Sequence, residues 1–148
     1  MAEKLTFETG IKEFDINGKA TVSFNPTDAA FVERVYDALT GLEQKQDQFQ
    51  AEVKEIDGDE DRLFAYSKER DEEMRGIIDG LLGEGVSAKL FGNMNCYALG
   101  EGIPIWMNLM FAITETIQKA FTSEQKKSDP RLKKLSGKYN KMAAKYKK

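Results

Sequence analysis

The sequence predicts an α+β protein that is mostly α-helical, with an N-terminal β-hairpin packed on a helical body. Apolar residues alternate with polar ones on both sides of Asn17-Gly18, which is typical of a hairpin. Three later segments, at about 26–56, 59–82 and 104–126, space their apolar residues as amphipathic helices do. We therefore predict one compact domain over residues 1–127, followed by a basic amphipathic tail over 128–148.

The hairpin is predicted over residues 4–24, and its apolar residues have even numbers: Phe14, Ile16, Ala20, Val22 and Phe24. A two-residue loop would put them on opposite faces, whereas a three-residue loop keeps them on one face that a helix can cover. We therefore predict a type I turn with a G1 bulge and Gly18 in the left-handed conformation. Upstream apolar residues have odd numbers, so the phase changes near Gly10: Leu5, Phe7 and Ile11.

The first long helix is predicted to begin at Pro26, its N1 residue, with Asn25 as N-cap and Asp28 at N3. Its apolar residues follow a heptad pattern that only Gln46 interrupts. Packing against the second helix of the same chain is the favoured interpretation. If the heptad pairs with another chain instead, the seam is Val35, Leu42 and Phe49.

The second helix follows a short acidic connector, so helices one and two should form an antiparallel hairpin. The connector has the 1-3-5 acid spacing of a calcium loop, but its sixth position is Arg62 and its twelfth is Lys68. Since a calcium loop needs Gly and Glu there, we interpret it as a solvated turn. The third long helix begins near Pro104 and is apolar on more than one face, so it should be the buried central helix.

Enzymatic chemistry is not predicted, because the chain contains no histidine and only one cysteine. Histidine is the commonest general base and metal ligand in proteins. Cys96 lies in a Gly-flanked loop, and we interpret it as a small buried thiol. No catalytic residue, cofactor or metal is predicted. A single cysteine also fits a reducing compartment, the cytoplasm.

Charge is strongly sorted along the chain. Residues 131–148 contain eight basic and no acidic residues, whereas residues 1–130 contain 14 basic and 25 acidic ones. The apolar residues of the tail repeat at helical spacing, so we expect a basic helix that is mobile until it docks on an acidic protein surface, and a fold that survives its removal. Nucleic acid ranks second as its partner, and an anionic membrane third. The candidate protein-binding cations are Arg131, Lys133, Lys134, Lys138, Lys141 and Lys145.

Several stretches resemble small proteins of siphophages and prophages of Gram-positive bacteria. They are residues 7–18 and 22–34, the motif Arg70-Asp71-Glu72-Glu73-Met74-Arg75 with Ile78-Asp79-Gly80, and Phe91-Gly92-Asn93-Met94-Asn95 with Tyr97-Ala98-Leu99. These proteins belong to tail-morphogenesis regions and are similar in layout to tail assembly chaperones. The lysine-rich end has no counterpart in that pattern.

The resemblance implies a non-enzymatic chaperone that coats the phage tape-measure protein in the bacterial cytoplasm, and that associates with itself. It assigns no site to particular residues, because no motif of these proteins defines one. Two alternatives stay open: a structural component or adaptor of the virion tail, and a phage-encoded regulator that binds a host protein.

Overall fold

The computed structural model describes residues 1–123 and 129–147, and it has the predicted mostly-α α+β fold. Two short hairpins and five helices follow one another along the chain. Their bounds are β1 Lys12–Ile16, β2 Ala20–Phe24, α1 Ala29–Glu55, α2 Glu60–Leu82, α3 Val86–Phe91, β3 Leu99–Gly100, β4 Ile103–Pro104, α4 Ile105–Ser123 and α5 Pro130–Tyr146. The two-residue hairpin of β3 and β4 was not predicted.

The first hairpin has the predicted three-residue loop. Phe14 pairs with Val22 and Ile16 with Ala20, so the apolar residues share the face that packs on α3 and α4. The turn type differs from the prediction: Asn17 and Gly18 both have positive φ, 55° and 69°, as in a type I′ turn. Asparagine tolerates this region, and the type I′ twist matches that of the two strands.

Residues 1–11, which we call the leading segment, form neither strand nor helix, so the predicted hairpin start at residue 4 is wrong. The end of the segment is held where the Asn25 amide donates to the Thr9 carbonyl oxygen at 2.9 Å. Gly10 there has a positive φ of 73°. The side chains of Leu5 and Phe7, further from this hydrogen bond, are 83% and 77% exposed.

Helix α1 begins three residues later than predicted, because Asn25 does not cap it. The Asn25 side chain instead accepts from the Thr27 backbone N–H at 2.9 Å and forms a local turn that contains Pro26. Asp28 is the N-cap, and its carboxylate accepts from the Ala30 N–H at 3.0 Å. The capping residue is therefore the second Asn/Asp of the motif.

The long helices surround α4. Helices α1 and α2 form the predicted antiparallel hairpin, with Phe49 stacked on Tyr66 and Lys45 paired with Glu73. Helix α4 is the central helix that the sequence predicts, and nine of its residues are buried: Trp106, Met107, Met110, Phe111, Ile113, Thr114, Ile117, Ala120 and Phe121. None of the helices in the described ranges is both long and apolar enough to span a membrane.

Helix α5 closes the core beside α1. It lies against both α1 and α4, and its buried residues belong to the same apolar cluster as Trp106: Leu132, Leu135 and Met142. The predicted boundary between body and tail, at 127/128, lies in residues 124–128, outside the described residues. Beyond that boundary the chain contributes directly to the core of residues 1–123.

Leu135→Ala should therefore destabilise the whole protein, since Leu135 is 0% exposed. We expect the free energy of unfolding in urea to fall by about 2–4 kcal/mol. The matched control is Lys133→Ala, two residues away and exposed, which should change it by less than about 0.5 kcal/mol. Equal effects of the two substitutions would show that α5 does not belong to the core in solution.

Candidate protein-binding surfaces

Helix α5 docks on an acidic surface of its own chain. It runs parallel to α1, so that contacts advance in step along both helices. The Lys134 ammonium lies 4.6 Å from the centre of the Tyr36 ring, Lys138 pairs with Glu43, and Lys145 pairs with Asp47 at 2.8 Å. Opposite charges one to two turns apart on each helix thus match across the interface, which we call the α1–α5 seam.

The seam divides the six predicted binding cations into two groups. Lys134, Lys138 and Lys145 contact α1: Lys138 and Lys145 pair with carboxylates, and Lys134 lies over the Tyr36 ring. The others are exposed and form no ion pair within residues 1–123 and 129–147: Arg131, Lys133 and Lys141. Only this second group is free to meet an acidic partner without breaking internal contacts.

The seam also shifts the titration of its groups. The hydrogen bond from Lys145 holds the pKa of the Asp47 carboxyl below its ordinary value, and Asp47 in turn raises the pKa of Lys145. On the α4 side of α5, burial and then the hydrogen bond to Glu115 raise the pKa of Tyr139 to about 12. The Tyr139 hydroxyl donates to Glu115 Oε1 at 2.6 Å. All these groups therefore keep their ordinary charge at neutral pH.

The heptad of α1 does not supply an exposed seam. Val35 and Leu42 are 0% exposed and lie in the core, and Gln46, which interrupts the heptad, is also buried. Phe49 is half-buried between the rings of Tyr66 and Tyr97, at centroid distances of 5.8 and 4.4 Å. The heptad is thus used for packing within the chain, as the favoured interpretation has it.

Two of the motifs behind the phage resemblance contact each other. Arg75 of α2 donates to the carbonyl oxygens of Gly92 and Met94 at 2.7 and 2.8 Å. Asp71 accepts from the Cys96 backbone N–H at 2.8 Å and pairs with Arg75 at 3.0 Å. Together these residues fasten the loop of residues 92–98 to α2. The sequence analysis identifies the two motifs, residues 70–75 and 91–95, but does not predict that they contact each other.

Cys96 is enclosed by this arrangement. Its thiol is 0% exposed, and burial raises its pKa, with a smaller contribution from Asp71. A protonated, enclosed thiol is a poor nucleophile, which agrees with the interpretation of Cys96 as a packing residue. Within residues 1–123 and 129–147, no three His, Cys, Asp or Glu side chains converge as a metal site would require.

Large apolar side chains remain exposed beside the same loop. Phe64 lies on the face of α2 that carries Ser67 and Asp71, since residues spaced by three and seven share a helix face. Ser67 and Asp71 hold the loop. The exposed apolar residues that flank it, one on this helix face and one next in the chain, define what we call the loop-side surface: Phe64 and Leu99, each 71% exposed. Met94, within the loop, is 53% exposed and lines the depression that also contains Ile16 and Leu109. Apolar spacing alone does not identify this surface, because it does not separate an exposed residue such as Phe64 from the buried ones.

Comparison of the chain with protein-family models, curated proteins and solved structures gives no match. Three exposed features of the described residues can contact other molecules: the exposed cations of α5, the loop-side surface and the leading segment.

Lys138→Met should weaken the α1–α5 seam, because it keeps the apolar stem of the side chain and removes the charge facing Glu43. The two side chains are only 17% and 24% exposed, so we expect a loss of about 1 kcal/mol in the free energy of unfolding. Lys141→Met, on the same helix and without an ion pair in the described ranges, is the control and should lose little. The difference should shrink in high salt; a difference insensitive to salt would contradict an electrostatic origin.

The Asp47 carboxyl should titrate below its ordinary value of 3.8, as measured by carbon-detected NMR. Lys145→Gln should move that pKa back upward, and Lys133→Gln should leave it unchanged. A carboxyl whose pKa is lower in the folded state stabilises the fold above the unfolded-state pKa, and this contribution is lost as pH falls through the folded-state pKa. Asp47→Asn should therefore cost stability at neutral pH but not in strong acid. If Lys145→Gln left the pKa of Asp47 unchanged, the contact between Lys145 and Asp47 would not exist in solution.

Proposed function

We propose that this chain is a non-enzymatic protein-binding protein and, within that class, a tail assembly chaperone that binds a phage tape-measure protein. The observation that carries the proposal is the exposure of Phe64 and Leu99, each 71% exposed, next to a loop that is firmly held. Isolated exposed apolar residues are ordinary, whereas large exposed apolar side chains that flank a firmly held loop suit a protein-binding surface.

The rigidity of this surface matters for binding. Because Arg75 and Asp71 fix the loop of residues 92–98 to α2, the loop does not have to be ordered when a partner arrives. Less conformational entropy is then lost on binding, which favours affinity. A long, apolar, helical partner would contact the exposed side chains of Phe64 and Leu99.

The choice of partner within this class depends on the resemblance to phage tail-morphogenesis proteins. A tape-measure protein is long and hydrophobic before its tube forms, so it needs a companion that covers apolar surface without chemistry. The exposed cations Arg131, Lys133 and Lys141 add a second, electrostatic means of contact with acidic stretches of such a partner. Cys96 supplies no competing chemistry, since its thiol is buried and its pKa is raised.

Co-expression tests the proposal. We expect the chain to keep the tape-measure protein encoded in the same phage genome soluble and to elute with it in gel filtration. Phe64→Ser/Leu99→Ser should reduce the co-eluting fraction about tenfold or more, since central apolar residues dominate binding energy. Glu72→Ser, exposed on the same helix, is the control and should have no effect; unchanged circular dichroism would verify folding.

Two outcomes would redirect the proposal. If the tape-measure protein stays insoluble with and without the chain, the chaperone function is refuted. If the chain is instead recovered in stoichiometric amount from purified virions, it is a structural component of the tail.

A further inference from the structure

A continuous groove runs between β1 and α4. Three adjoining depressions form it, of about 360, 210 and 380 Å³, and neighbours share lining residues. Thr116 and Phe14 join the first two, and Leu109, Ala112 and Ile16 join the last two. We call it the β1–α4 groove. From Ile105 to Ser123 it follows α4 for about 27 Å.

One wall of this groove is a strand edge. β1 pairs only with β2 in the described ranges, so its other edge carries backbone groups without a strand partner. Such an edge is a template for an added strand, whose alternate side chains would enter the groove beside it. The groove therefore suits an extended apolar segment better than a small molecule.

The chain itself contains a segment of that kind. Leu5 and Phe7 alternate with Thr6 and Glu8 in the leading segment, and they are 83% and 77% exposed. A strand of residues 4–9 spans about 20 Å, which fits within the length of the groove. The groove and the segment are thus complementary in form, and both lack a partner within the described part of the molecule.

Charge does not oppose this pairing. The groove is lined by Lys12, Lys19 and Lys119, against one acid, Asp15. Residues 4–9 contain one base, Lys4, and one acid, Glu8, so the added strand is neutral. Burial of Leu5 and Phe7, rather than charge, would hold the two copies together.

In this structure the segment does not occupy the groove of its own molecule. Leu5 and Phe7 are exposed, and Thr9 is held at Asn25, which follows β2. The free edge of β1 and the groove beside it are therefore open to the leading segment of a second copy.

We propose that the leading segment of one copy adds as a strand to the free edge of β1 in a second copy, with Leu5 and Phe7 in the β1–α4 groove. The two surfaces differ, so the contact is heterologous: it can close reciprocally into a dimer or continue along a row of copies. The inference stands apart from the proposed function, whose test uses Phe64 and Leu99.

Complementation between two variants provides the test. Leu5→Asp/Phe7→Asp removes the donor strand and keeps the groove; Ala112→Arg fills the groove and keeps the donor strand. Ala112 and both donor residues are exposed, so the fold should tolerate these changes. Thr6→Asp is the control, because it adds the same charge on the face of the strand that points away from the groove.

Sedimentation velocity over about 1–200 µM should show mass rising with concentration for the wild type and for Thr6→Asp. Each of the two defective variants should associate at least about tenfold more weakly. Their equimolar mixture should form a one-to-one dimer, because it contains one intact segment and one intact groove. A second groove variant, Ala112→Glu, guards against a folding defect in the first.

Three results would overturn the inference. They are a wild type that stays monomeric over the whole range, a Leu5→Asp/Phe7→Asp variant that associates as the wild type does, and a mixture that shows no dimer although both variants are folded by circular dichroism.

Discussion

The enclosure of α4 is the constraint on which the rest of the fold depends. This helix is apolar on more than one face, and nine of its residues are buried, so no single neighbour can cover it. The first hairpin covers one side, α1 and the end of the 92–98 loop another, and α5 the last. Each of these elements uses an apolar stripe of its own, which explains why most of the core forms one cluster around Trp106.

In the docking of helix α5, apolar burial and charge make different contributions. Burial of Leu132, Leu135 and Met142 supplies most of the stabilisation, at roughly 1.5–3 kcal/mol for each large side chain. The ion pairs of the α1–α5 seam are individually weak, about 0–1 kcal/mol. Their contribution is to orientation, since Lys138 and Lys145 meet Glu43 and Asp47 only when α5 lies parallel to α1. Much of the charge sorting along the chain is thus resolved inside the molecule.

The surfaces that remain after this internal docking suggest how such a protein meets others. The loop-side surface is rigid, because Asp71 and Arg75 hold its loop, whereas the leading segment is attached to the body mainly near Thr9. A rigid apolar surface suits a partner of fixed shape, and an extended segment suits strand addition.

The sequence by itself determined the elements and much of their local geometry. Phe14, Ile16 and Val22 all have even numbers, which predicts the three-residue loop, and the strand pairing confirms it. The apolar character of the residues after Pro104 predicts a central buried helix, which is also confirmed. These features depend on contacts between near neighbours in the chain, which periodicity records. The start of α1 was missed by three residues because Asn25 and Asp28 are equally good caps, and only the competing turn at Asn25 decides between them.

The tertiary structure alone decided which apolar stripes meet. The stripe of α5 and the heptad of α1 would look the same whether they packed within the chain or against another molecule, because periodicity states that a face is apolar and not what covers it. Only the folded chain shows that Val35 and Leu42 are buried in the core and that Phe64 is exposed. The ion pair between Lys138 and Glu43 is likewise visible only there. The contact between Asp71 and Cys96, 25 residues apart, is of the same kind. Such pairings are set by the shape of the whole core, which no local window of sequence contains.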